Sequence, residues 1–280
     1  MKLGFNLLLW STHVTEELFP TLEKIKKVGY DGVEIPVFQG DVAHFQKIGK
    51  ALRDNGLRCT AVTVIPSEEH NTLSDDPARR QKGLAWIKWA VDCCQAMGAE
   101  TLLGPYHQPL GVFTGGAPTE QEKANAASVH REAAQYAQGK CTLAIEYLNR
   151  FECYFLNTLA DAAAHVARVN HPNFGTMFDT FHANIEEKEP VTVILKHAKA
   201  IRHVHISEND RGCPGDGHAP IRETIRALQS VGYDGWMVIE AFGRALPDLA
   251  AATRVWRDFF PSREYVYEKG FRYLQQCLGK

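Results

Sequence analysis

The chain has 280 residues, 45% hydrophobic and 23% charged, which is the balance of an ordinary globular fold and excludes a disordered or low-complexity chain. A net charge of −2 and a pI of 6.6 exclude a global basic bias toward nucleic acid or anionic membrane. The apolar runs are strand-sized and none approaches a membrane span.

The opening MKLGFNLLLWS lacks a small-residue cleavage site and reads as a first strand, Leu3–Leu9, rather than a signal peptide. A helix is predicted over Thr15–Val28, a short second strand at Val33–Ile35, and a helix over Asp41–Asn55 closed by Gly56. Leu57–Val64 is a third strand. Asp76-Pro77 then opens a long helix to Met97, Asp76 as N-cap and Pro77 at the first helical position. Thr101–Leu103 is strand four, followed by a Gly-rich loop over Gly104–Pro118. Thr119 and Glu122 have capping-box spacing at the head of a helix to Gln138. Thr142–Glu146 is strand five, Thr158–Val169 a helix, Phe174–Phe178 strand six, and a further helix ends near Ala200. Ile201–Ile206 is strand seven, with His203 and His205 on one face and Val204 and Ile206 on the other. A helix at Ile221–Val231, strand eight at Trp236–Ile239, a helix over Pro247–Phe260 and a helical tail Ser262–Lys280 complete the chain.

Eight strand–helix units with crossovers of this length predict a single α/β domain over residues 1–280, a (β/α)8 TIM barrel with an additional C-terminal helix. The echo between Val28–Gly32 and Val231–Gly235, each before a short strand ending in Glu, fits a repeated unit. A doubly wound open sheet is the alternative, but no G-x-G-x-x-G follows the first strand. The seven cysteines (Cys59, Cys93, Cys94, Cys141, Cys153, Cys213 and Cys277) are odd in number and lack C-x-x-C spacing, so reduced thiols in a cytoplasmic protein are expected.

Barrels of this kind carry their chemistry at the carboxyl ends of the strands. Glu146, Asp179, His205 and Glu240 end strands five to eight, about one βα unit apart, and adjacent strand tips converge. A single strand-end carboxylate is usually a cap or a surface group. Three carboxylates and an imidazole in successive units instead suit one divalent cation of the Mn, Mg or Co kind. His182 lies three residues beyond Asp179, Glu152 follows Glu146 after a short loop, and Arg211 sits in the loop after strand seven. Glu152 and Arg211 read equally as a solvated ion pair or as anchors for a hydroxyl-rich ligand. Glu34 at the end of strand two could line the site or hold a loop. His107 lies in the Gly-rich loop, which could be a substrate rim, and Trp10 reads as core packing. The other histidines form no constellation.

The set Ile145-Glu146, Glu152, Phe178-Asp179-Thr180-Phe181-His182, His203-Val204-His205, Arg211 and Ile239-Glu240 resembles the ketose 3-epimerases of the D-tagatose, D-psicose and L-ribulose type, within the xylose-isomerase-like superfamily. The resemblance runs the whole chain and is most specific from strand five to strand eight. It implies that Glu146, Asp179, His205 and Glu240 hold one divalent ion, manganese in first place, with cobalt or magnesium as alternatives. It implies epimerisation of free ketoses at C3 through a cis-enediolate. Glu146 and Glu240 would exchange the C3 proton from opposite faces of the sugar, while His182, Arg211 and Glu152 bind substrate. It also implies a homodimer or homotetramer, with no nucleic-acid or membrane partner. Hydroxypyruvate-isomerase-like and inosose-dehydratase-like enzymes are the nearest rivals. An endonuclease IV type repair enzyme would need several zinc ions and a basic face. A sugar-binding protein without catalysis would not need two opposed glutamates.

Overall fold

A computed structural model describes residues 1–279. Eight strands, β1 (Lys2–Asn6), β2 (Gly32–Pro36), β3 (Arg58–Val62), β4 (Thr101–Gly104), β5 (Thr142–Ile145), β6 (Phe174–Asp179), β7 (Ile201–Ile206) and β8 (Trp236–Ile239), pair in parallel and close into a barrel in chain order. The helices are α1 (Phe19–Val28), α2 (Val42–Asp54), α3 (Pro77–Met97), α4 (Glu120–Ala137), α5 (Leu159–Val169), α6 (Thr180–Glu186), α7 (Thr192–His197), α8 (Ile221–Ser230), α9 (Pro247–Thr253) and α10 (Arg263–Leu278). The expected (β/α)8 barrel and C-terminal helix are present.

Local chemistry sets most boundaries. Asp76 caps α3 through Ala78 N–H with Pro77 in the first turn, and both Thr119–Glu122 and Thr158–Asp161 form complete capping boxes. Three of the differences from expectation have a clear local cause. The first strand stops at Asn6, whose side chain accepts from Leu8 N–H and turns Leu7–Leu9 into a buried 3-10 turn. The single helix expected before Ala200 is two, α6 and α7, with Pro190 between them. The helix expected over Pro247–Phe260 ends at Thr253, where Arg254 adopts a left-handed backbone, and Val255 instead packs into the apolar cluster at the barrel mouth.

β6 and β7 pair with a register shift between Thr176 and Met177, which skips Arg202 and sets Asp179 directly opposite His205. A one-residue slip exchanges the faces of a strand, so this irregularity brings both side chains to the inward face. Ala144 and Met177, two residues before Glu146 and Asp179, share that inward face and join Val62 and Leu103 in an apolar layer. At the opposite, amino-terminal end, Glu100 accepts from Lys2 and the Trp236 indole and pairs with Arg58, sealing the barrel floor. α10 packs against α1 and α8, with the Tyr30 hydroxyl donating to the Tyr267 carbonyl at 2.7 Å. All seven cysteines are buried and unpaired. Among the described residues no helix is long and apolar enough to cross a membrane.

Candidate active site

The carboxyl ends of β5 to β8 deliver Glu146, Asp179, His205 and Glu240 into one buried cluster. Asp179 is fixed at both oxygens: Oδ1 caps α6 by accepting from Phe181 N–H at 2.6 Å, and Oδ2 lies 3.2 Å from Arg211 Nη1 and 3.7 Å from His205 Nδ1. Glu240 Oε1 stands 3.5 Å from the same Nδ1. Ligand atoms of Asp179, His205 and Glu240 all fall within 4.8 Å of one another. Glu146 joins through Asp179 and His182, a second group of the same span.

His205 has the arrangement a metal ligand needs. Its Nε2 lies 2.7 Å from Glu34 Oε1, while Nδ1 is buried with no hydrogen-bond partner and faces two carboxylates. The donors gathered there, carboxylate oxygens and one imidazole, suit a hard or borderline divalent cation. Burial opposes charging His205, yet Glu34 and Glu240 hold its imidazole well above the usual range. A cation at the same point would supply that positive charge instead.

Arg211 comes from the β7–α8 loop with a left-handed backbone (φ 67°), a conformation that costs a non-glycine residue energy and must be held by its surroundings. Glu208 provides the hold. This buried carboxylate accepts from Asn209 and Ala219 N–H on one oxygen and from Gly215 N–H on the other, and its carbonyl accepts from Arg211 N–H. The guanidinium stacks 3.8 Å over the Phe181 ring and donates to Glu240 Oε2 at 2.7 Å. Its Nη2 stands 3.1 Å from His182 Nε2 and 3.9 Å from Glu152 Oε1.

His182 Nδ1 accepts from Asn149 N–H at 3.0 Å, so in the neutral ring the proton sits on Nε2. Burial and the adjacent Arg211 keep His182 below its ordinary pKa, hence neutral near pH 7. Two donors, His182 Nε2–H and Arg211 Nη2–H, therefore face each other where an acceptor oxygen would satisfy both. Glu152 is partly exposed and is steadied by Asn149 Nδ2 at 2.8 Å. Burial first, then the charges of Glu240 and Asp179, push the Glu146 carboxyl well above its usual range, whereas Glu240 carries the Arg211 contact.

All seven residues singled out from the sequence thus gather in this cluster. His107, in the Gly-rich loop, is fully buried, with Nε2 3.0 Å from the Glu146 carbonyl, and burial lowers its pKa to about 3. His130 and His165, expected to be unconnected, lie 2.7 Å apart, ring nitrogen to ring nitrogen, beneath the Gly-rich loop. Sequence reasoning missed the supporting layer: Asn6, Thr60 and His203 around Glu34. Asn6, Glu34 and Thr60 are register partners on β1, β2 and β3. The inward parity of His203 with His205 was the one signal available for it.

Comparison with known proteins places the chain among sugar epimerases. The Xylose isomerase-like TIM barrel family pattern matches residues 22–277. A ketose 3-epimerase of Arthrobacter globiformis is 32% identical, covering 94% of this chain and 92% of its own. A D-psicose 3-epimerase of Agrobacterium fabrum (strain C58) is 31% identical, covering 92% and 91%. The crystal structure of a Methylomonas sp. D-allulose 3-epimerase in complex with D-allulose superposes with a TM-score of 0.89 at 28% identity, covering 99% and 96%. With a family pattern across the barrel and relatives above 30% identity along almost the whole chain, this protein belongs to the ketose 3-epimerase family of the xylose isomerase-like TIM barrels.

Proposed function

We propose that the protein is a metal-dependent isomerase that epimerises free ketoses of the D-fructose, D-psicose, D-tagatose or L-ribulose type at C3. The observation that carries this reading is the pair of glutamates, Glu146 and Glu240, brought from strands three positions apart around the barrel to flank Asp179 and His205. A divalent cation held by Glu146, Asp179, His205 and Glu240, with manganese preferred, supplies Lewis-acid polarisation to neighbouring oxygens of the open-chain sugar.

The protein's own groups do the rest. One of Glu146 and Glu240 removes the C3 proton, leaving an enediolate, and the other returns a proton to the opposite face, which inverts the centre. Their unlike surroundings, burial beside the Glu240 and Asp179 carboxylates for Glu146 and the Arg211 guanidinium for Glu240, support separate acid and base roles. His182 Nε2–H and Arg211 Nη2–H fix the oxygen nearest the carbonyl end. Glu152 hydrogen-bonds beside them, and the Phe181 and Phe242 rings pack against the guanidinium and hold its orientation. The absence of an arginine-rich phosphate cradle in the sequence favours unphosphorylated sugars. The unpaired cysteines suit a reducing cytoplasm, and a homodimer or homotetramer completes the proposal.

The test is chromatography of the four ketoses after incubation with protein stripped by chelator and then reloaded. Loss of 3-epimer formation on stripping and its return with Mn²⁺ or Co²⁺ is expected. Full activity in the stripped protein would overturn the metal dependence.

A further inference from the structure

Glu34 is fully buried below the site and belongs to neither the ligand set nor the substrate contacts proposed above. A buried carboxylate inside a barrel costs energy unless every oxygen is satisfied. Here they are: Oε1 accepts from Asn6 Nδ2 at 2.9 Å and faces His205 Nε2 at 2.7 Å, and Oε2 accepts from the Thr60 hydroxyl at 2.7 Å. Elsewhere the barrel interior is filled by apolar side chains, Val62, Leu103, Ala144 and Met177. We infer that Glu34 is a positioning residue for metal binding: it fixes His205 in the Nε2–H tautomer, so that the Nδ1 lone pair is presented to the cation between Asp179 and Glu240.

The geometry carries this in two steps. An ionised carboxylate only accepts, so the 2.7 Å contact places a proton on His205 Nε2. Nδ1, left without a hydrogen-bond partner, then points at Asp179 Oδ2 and Glu240 Oε1, 3.7 and 3.5 Å away. A carboxylate behind a ligating imidazole orients the ring and raises its basicity. The same layer reaches a second ligand. Asn6 Oδ1 accepts from Leu8 N–H, which settles the amide orientation, and its Nδ2 donates to both Glu34 Oε1 and Glu240 Oε1, the latter at 3.2 Å. His203 Nε2 lies 3.1 Å from Glu34 Oε2, and its ring packs edge-on against His205.

This inference rests on the metal site proposed above, so its test separates the two. Calorimetric titration of chelator-stripped protein with Mn²⁺ is expected to show tight binding in the wild type, and His205→Ala to abolish it. Glu34→Gln keeps shape and an acceptor oxygen but removes the charge. It should weaken Mn²⁺ about 10–100-fold while circular dichroism and the melting temperature of the stripped form stay near wild type. Wild-type affinity in Glu34→Gln, with His205→Ala defective, would overturn the role of Glu34 alone. Unaltered affinity in His205→Ala would overturn the site and this inference together. Should Glu34→Gln fail to fold, ¹⁵N-histidine NMR of the Mg²⁺-loaded wild type decides. A His205 signal, assigned by its loss in His205→Gln, with the proton on Nε2 is expected; a proton on Nδ1 would overturn the inference.

Discussion

Replacing Asp179 with Asn separates the metal-binding role of this carboxylate from its structural one. Asn is a good N-cap, so the Oδ1 contact to Phe181 N–H and the start of α6 survive. What is lost is one negative charge, the Arg211 contact at 3.2 Å and a carboxylate oxygen 3.7 Å from His205 Nδ1. In stripped protein, losing a charge-assisted hydrogen bond of about 1.5–3 kcal/mol should lower stability, because, against burial, His205, Arg211 and His182 favour the ionised carboxyl and hold it below its usual range. Metal affinity is read separately. Loss of a direct ligand should exceed the 10–100-fold typical of an outer partner, so a fall of at least about 100-fold, or about 2.7 kcal/mol, is expected. At a Mn²⁺ concentration about 100 times the wild-type Kd, binding stabilises the wild type by about 2.7 kcal/mol. With an unfolding entropy of about 0.6 kcal/mol/K for a chain of this length, that is a rise in Tm of about 4–5 °C. At the same concentration Asp179→Asn would gain only about 0.4 kcal/mol, under about 1 °C. Differential scanning fluorimetry with and without Mn²⁺ reads both numbers. A metal-induced rise in Asp179→Asn equal to that of the wild type would refute the assignment.

Glu146→Gln and Glu240→Gln should each lower turnover by about 10²–10⁴-fold with the fold intact by circular dichroism; near-normal turnover in both would end the two-glutamate mechanism. Arg211→Ala should raise KM at least about tenfold, the cost of a lost charged hydrogen bond, with a smaller change in kcat. Because it removes a cation beside Asp179 and Glu240, it should leave Mn²⁺ affinity unchanged or tighter in calorimetry. Weakened metal with unchanged KM would instead make Arg211 a support for the ligands.

Much of this was legible in the sequence because the signals are local. Asp76-Pro77 and the Thr119–Glu122 box set helix starts, and β7 and β8 match their expected bounds. Strand-end placement then identified Glu146, Asp179, His205 and Glu240, since each sits where a strand's apolar alternation gives way to loop. What was not legible depends on closure of the barrel. Leu7–Leu9 read as strand because a buried 3-10 turn is as apolar as a buried strand, and only the Asn6 side chain decides between them. Asn6, Glu34 and Thr60 lie far apart in sequence and become neighbours through the β1–β2–β3 register. Likewise, nothing local in Arg202 announces the slip that turns Asp179 toward His205.

Proton NMR of D-fructose, D-psicose, D-tagatose and L-ribulose, each incubated in D₂O with Mn²⁺-loaded protein and freed of Mn²⁺ by chelator before the spectrum, decides whether C3 exchanges. Deuterium entering at C3 as the 3-epimer appears is the predicted result. Absence of C3 exchange with every ketose, in protein shown to hold its metal, would contradict the account and direct attention to shorter or cyclic substrates.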